Sequence, residues 1–195
     1  VLDSQGKIAE YIAECRAMGI RLLPPDINQS GPHFTVAGQD IRFGLAALKG
    51  VGRGFTGAVL AEREANGPFR SFPDFCQRLL DQDLNKRVLE SLIRAGAFDS
   101  MGIKRAQLLD AYEQHLDSLA RNKRKNLEGQ FDLFSMGSDT ADTPVELVLR
   151  NIPEFTPQEL MTMEKWTITY KKDDVREEGA KISFKEPGTV YPYSE

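Results

Sequence analysis

Apolar residues recur at helical spacing through most of the first 120 positions, and glycine interrupts them at nearly regular intervals. From Ser4 to Met18, Ile8, Ile12 and Cys15 share one face with Tyr11 and Met18 beside them, and Gly19 follows as a stop. That pattern predicts an amphipathic helix. The next stretch, "IRLLPPDINQSGPHF", contains a double proline that forbids helix and offers Asp26, Asn28 and Ser30 for side-chain turns, which predicts an ordered extended loop. In "FTVAGQDIRF" (34–43), Phe34 and Val36, then Ile41 and Phe43, alternate with polar residues about Gly38, as expected of a β-hairpin.

Between Gly44 and Arg121 the pattern is helical almost throughout. A short helix with Leu45 and Leu48 leads into the loop "KGVGRG", and a second helix is expected from Phe55 to Ala65 before "NGPF" ends it. Ser71 is placed to cap the following helix, with Pro73 in its first turn, Asp74 in capping-box position, and Phe72, Phe75 and Leu79 facing inward. Asn85 caps another, whose Val88, Leu89, Leu92 and Ile93 share a face and which stops at Gly96. After "GAFDSMG" a longer helix carries Leu108, Tyr112, Leu116 and Leu119 on one side. Two helix, hairpin, helix units follow one another, the second a weaker repeat because its glycines are not closely spaced.

Beyond 120 the composition changes. "RNKRKN" (121–126) is basic and 135–164 is acidic and broken by proline, so a linker is placed around 121–150. Trp166, Ile168 and Tyr170 in "WTITYKK" alternate like a strand, and the remaining tail has no clear pattern. The predicted fold is mainly α: a tandem helix-hairpin-helix bundle with a small β-hairpin near the N-terminus and an irregular or short-strand C-terminal tail. The expected divisions are 1–43, 44–120, 121–165 and 166–195.

A chain of 195 residues with 41% hydrophobic and 28% charged residues has enough apolar material for one core or two small ones. It contains no apolar run long enough to span a membrane, and the opening "VLDSQGKIAEY" lacks the regions of a signal peptide, so no membrane partner and a cytoplasmic location are expected. It starts at Val1 rather than Met, which suggests a piece excised from a longer protein. Cys15 and Cys76 lie in apolar helical patterns without metal-ligand spacing and are expected to be reduced core thiols. A net charge of −4 does not advertise nucleic-acid binding, so local patterning has to carry any such role.

The glycine loop can be tested against three phosphate-gripping designs. The dinucleotide fingerprint needs a third glycine where Phe55 stands, and a P-loop needs its lysine after the glycines, whereas Lys49 precedes them. The third design, the helix-hairpin-helix, fits Leu45, Leu48, Gly50, Val51, Gly52, Ala58 and Val59 position by position. Gly50 and Gly52 let the backbone bend and approach a phosphate, Val51 locks the helices from inside, and the next helix offers unpaired N–H groups at its positive end. Lys49, Arg53 and Gly54 complete the candidate site, with Lys104 and Arg105 assisting from the second hairpin. Such contacts hold a double-stranded DNA backbone without reading its sequence. The alternative for the loop is a tight turn between packed helices.

Three strings, "EYIAECRAMGIRLLPPDIN", "IRFGLAALKGVG" and "LESLIRAGAFDSMG", closely resemble the bacterial replicative DNA polymerase III alpha subunits, the C-family polymerases, over roughly residues 5–165. The resemblance implies a region joining the end of the fingers domain to tandem helix-hairpin-helix motifs that hold duplex behind the primer end. It also implies that Gln130, Leu133 and Phe134 in "GQFDLFSM" bind the sliding clamp. A short extended peptide with adjacent apolar anchors suits a preformed groove, although by itself this motif could equally mark local packing. Two departures stand out: the sequence from "WTITYKK" onward does not match the barrel domain expected next, and the family's polymerising palm lies upstream of the matching stretch.

No residues in the chain suit catalysis. Two-metal nucleotidyl transfer needs carboxylates at a fixed separation; the only close Asp-x-Asp is Asp81 and Asp83, which sit between helices with no strand to fix them, and Asp173 and Asp174 read as similar surface charges. His33 and His115 have no nucleophile or metal-spaced neighbour. The expectation is therefore a noncatalytic fragment without a cofactor of its own, magnesium belonging to the parent polymerase. Its partners would be duplex DNA, the sliding clamp and the rest of the alpha subunit. A helical protein-interaction module and a DNA-repair helix-hairpin-helix subunit are the alternatives.

Overall fold

The computed structural model describes residues 14–15, 17–129 and 145–167. The helix expected over 4–18 lies mostly outside them; residues 14, 15 and 17 are helical, and Cys15 is half-buried rather than in the core. A three-stranded sheet follows, with β1 (Leu22–Leu23), β2 (Thr35–Ala37) and β3 (Asp40–Arg42) in the order β1-β3-β2. The β2–β3 hairpin is the expected one, with Val36 opposite Ile41. Pairing of β1 in parallel with β3, Leu22 opposite Ile41, was not foreseen, because a two-residue strand leaves no periodic signal.

The proline loop between β1 and β2 is ordered by side-chain turns. Asp26 Oδ1 accepts from the N–H groups of Asn28 (2.8 Å) and Gln29 (3.0 Å). Asn28 then binds the main chain of Phe69 in both directions, and Arg63 donates to the carbonyls of Ile27 and Ser30. These bonds fasten the loop to the helical body and bury Ile27 in its core.

The helices are α1 (Arg53–Asn66), α2 (Phe72–Leu79), α3 (Lys86–Arg94), α4 (Arg105–Gly129) and α5 (Pro157–Thr167), with short 3-10 turns at Leu45–Ala47 and Asp99–Met101. Ser71 caps α2 by accepting from Asp74 N–H, and Asn85 caps α3 by accepting from Val88 N–H. Each such cap stabilises its helix by about 1 kcal/mol. The inward faces merge into one core around a chain of edge-to-face rings, Phe69–Phe75 at 5.0 Å, Phe75–Phe98 at 5.1 Å and Phe98–Phe72 at 5.0 Å. Cys76 is buried there, and burial pushes its thiol pKa far above the ordinary value. His115 is also buried, beneath the ring of Phe72 at 6.1 Å.

After 120 the structure departs from the expected linker. The basic run 121–126 belongs to α4, which continues to Gly129. Residues 145–156 are not free either. Val145 and Leu147 pack on the core, the Arg150 carbonyl accepts from Gln107, and the Arg150 guanidinium pairs with Asp110. This strap runs back along α4 towards its N-terminus and leads into α5, a helix that the sequence did not reveal. Thr156 opens α5 by accepting from Glu159 N–H, while Glu159 accepts from Thr156 N–H, a reciprocal capping box. Trp166 and Thr167, expected to start a strand, are its last turn.

Candidate nucleic-acid interface

The first hairpin runs from the 3-10 turn through Leu48 to the start of α1. Leu45, Leu48, Val51, Phe55 and Val59 point into the core and fix its shape. Val51, included among the expected contacts, is therefore a support: its side chain is buried and its N–H donates to the Leu48 carbonyl at 3.2 Å. Gly50 makes the turn at φ +84°, which side-chain-bearing residues rarely adopt. The N–H of Lys49 is also occupied, by the carbonyl of Thr167 at the end of α5 (2.7 Å).

What remains exposed is Lys49, Gly50, Gly52, Arg53 and Gly54. Gly52 is the N-cap of α1 and supplies no capping side chain, and the first turn contains no acidic residue. A Cβ added to Gly52, Gly54 or Gly57 would meet nothing within 4 Å, so the fold itself does not require glycine there. Inside a helix each glycine costs about 1 kcal/mol relative to alanine. A helix N-terminus without a side-chain cap, bare backbone and flanking cations form a surface suited to an anion.

Sequence reasoning missed one residue here. Arg87, the second residue of α3, lays its side chain against the loop: a Cβ on Gly50 would lie 3.4 Å from Arg87 Nε and 3.5 Å from Ser91 Oγ. Arg87 is exposed. The available signal was its place on the polar side of a helix whose other cations are paired, Lys86 with Glu113 and Asp117, and Arg94 with Glu90.

The second hairpin is arranged differently from expectation. Arg105, expected to help bind phosphate, has a side chain only 7% exposed and paired with Asp99 (2.6 Å) and Glu164 (2.8 Å). It also donates to the Arg94 carbonyl at 3.2 Å. Burial alone would depress its pKa, but the hydrogen bonds and charge of Asp99, then of Glu164, outweigh that and raise it. Gly96 has φ +82°, and a Cβ there would collide with the Arg105 guanidinium. Lys104 is exposed, with Nζ donating to the Ile152 carbonyl at 3.2 Å.

The N-terminus of α4 is already filled. Glu154 of the strap accepts from the N–H groups of Arg105 (2.8 Å) and Ala106 (3.0 Å), where a phosphate would otherwise sit. Partial burial pushes the Glu154 pKa up, but the N–H groups of Ala106, Phe155 and Arg105 and the Arg105 charge prevail and hold it below the ordinary carboxylate value. Helix α5 touches both hairpins, through Glu164 at the second and the Thr167 carbonyl at the first. Gln130, Leu133 and Phe134 lie outside the described residues.

Asp81 and Asp83 do not fit a metal pair. Asp81 pairs with Lys123, and Asp83 is a turn residue at φ +58°. Among the described residues no group of three or more His, Cys, Asp or Glu side chains could hold a metal ion, and no helix is long and apolar enough to cross a membrane.

Two hairpins that share one core define a helix-hairpin-helix protein, and the family model described as the helix-hairpin-helix motif matches residues 19–108. The chain is 43% identical over 157 residues to the DNA polymerase III subunit alpha of Saccharopolyspora erythraea, covering 80% of this chain and 13% of that protein. It is 49% identical over 129 residues to the subunit of the same name from Thermus aquaticus, covering 66% of this chain and 10% of that one. The corresponding Chlamydia pneumoniae subunit is 34% identical over 187 residues, which is 93% of this chain and 15% of the relative. The chain belongs to the family of DNA polymerase III alpha subunits, and it spans between a tenth and a sixth of the length of these relatives.

Proposed function

We propose that this region holds duplex DNA for a replicative polymerase, gripping a backbone phosphate at the first hairpin while nucleotidyl transfer and its magnesium ions belong to other parts of the enzyme. The observation that carries the reading is the uncapped start of α1, with bare glycines at 52 and 54 that the fold does not need. A phosphate there accepts from main-chain N–H groups at the positive end of a helix, with Lys49 and Arg53 on either side. None of these groups faces a base edge by necessity, so binding is independent of sequence and weakens with salt.

The clamp tether is part of the same proposal. It rests on the sequence "GQFDLF", in which Gln130 directly follows the last residue of α4 and Leu133 and Phe134 come shortly after. A peptide of this kind contributes affinity through two apolar anchors in a preformed groove.

Titration of a short mixed-sequence duplex at two salt concentrations tests the DNA role. The wild-type chain should bind less tightly at higher salt, and Lys49→Ala with Arg53→Ala should weaken binding at low salt by roughly tenfold or more, as expected for two phosphate contacts. Salt-independent binding, or an unchanged double variant, would refute it.

A further inference from the structure

The two hairpins are separate in sequence, but at Gly50 their elements meet. Arg87 comes from α3, in the second unit, and its side chain lies along the turn of the first. Neither the Arg87 guanidinium nor Lys49 Nζ has a hydrogen-bond or ion-pair partner among the described residues, and both are exposed. On the same helix Lys86 is held by Glu113 and Asp117, and Arg94 by Glu90, so the absence of a carboxylate at Arg87 is particular to that position. The Arg87 side chain thus lies against Gly50, two residues before the N-cap of α1.

A guanidinium is suited to this place. It is planar, always charged, and carries several donors in a fixed fork that matches two phosphate oxygens. Holding it in advance lowers the ordering cost of binding. Gly50 is required for its φ of +84°, and a Cβ there would meet Arg87 and Ser91 only at ordinary contact distance.

We propose that Arg87 is a phosphate-binding residue of the first hairpin, so that the DNA grip is one composite site built from α1's N-terminus, Lys49 and a guanidinium contributed by α3. This rests on the reading of the first hairpin as a duplex-holding surface.

The test uses the whole chain and a short mixed-sequence duplex, comparing Arg87→Gln with Arg70→Gln. Arg70 is also exposed, but it lies past the far end of the 14-residue α1, about 20 Å along the helix. The two variants change net charge equally. Arg87→Gln should weaken binding about five- to tenfold at low salt and flatten the salt dependence by about one counterion. Arg70→Gln should stay within about twofold, the effect of a distant screened charge. Independently of any variant's stability, the wild-type Arg87 Nε–H resonance, assigned through its own side-chain connectivities, should shift when duplex is added. If wild-type binding fails or ignores salt, the duplex reading and this inference both fall. If Lys49→Ala with Arg53→Ala weakens binding while Arg87→Gln matches Arg70→Gln and the Arg87 resonance does not move, only the role of Arg87 is overturned.

Discussion

The two hairpins repeat one motif and differ in what meets the helix that follows. At the first, α1 begins on Gly52 with no cap and no acid in its first turn, and the neighbouring cations Lys49 and Arg87 are exposed. At the second, α4 begins under the carboxylate of Glu154, and Arg105 is buried between Asp99 and Glu164. Backbone N–H groups at a helix start need an acceptor from somewhere. In one hairpin the chain supplies it from 49 residues away, and in the other the N-cap Gly52 supplies no side-chain acceptor. A tandem arrangement therefore need not mean two equal sites: one hairpin starts its helix without a side-chain cap, while the other fastens the strap and α5.

The largest effect should come from the buried ion pairs. Arg105→Ala removes a guanidinium that joins Asp99, Glu164 and the Arg94 carbonyl, and should cost about 3 kcal/mol of stability in chemical denaturation. The estimate is at the low end for a broken buried pair because both carboxylates are partly exposed. A loss below about 0.5 kcal/mol, the range of an ordinary surface substitution, would mean that Arg105 is not a latch and would reopen it as a DNA contact.

Glu154→Ala should have a smaller effect, about 1 kcal/mol, comparable to deleting a helix cap. Its pH dependence has a definite sign. The folded-state pKa of Glu154 is lowered, so its contribution is complete above the ordinary value of 4.5 and fades as pH falls through the lower folded value. The stability gap between wild type and Glu154→Ala should thus be constant near neutrality and close as pH falls from 4.5 through the lower folded-state value. On the proposed function, which puts the principal grip at the first hairpin, duplex affinity should not fall in this variant. Weakened binding would place the strap within the DNA site.

Much of the helical bundle was legible because its determinants are local. Ser71 and Asn85 cap the helices they precede, and Val88, Leu89, Leu92 and Ile93 bury the face that their spacing marks. The first hairpin was legible for the same reason, since glycine at 50 and apolar residues at 45, 48 and 51 act within a few positions of one another. What escaped depends on distant partners. "KR" at 104–105 reads as an exposed basic pair, and only Asp99, Glu164 and the crowding at Gly96 reveal that its arginine is buried. The strap carries the acidic, proline-broken composition of a linker, yet Glu154 finds two N–H donors and Arg150 finds Asp110. Arg87 likewise gains its place only when α3 packs under Gly50.

The inequality of the two hairpins can be tested most directly by following the main-chain amide resonances of the intact chain as duplex DNA is added. The amides of Gly50, Gly52, Arg53, Gly54 and Phe55 should shift progressively with duplex concentration, and those of Lys104, Arg105 and Ala106 should stay in place under Glu154. Equal shifts at both hairpins, or shifts confined to the second, would contradict it.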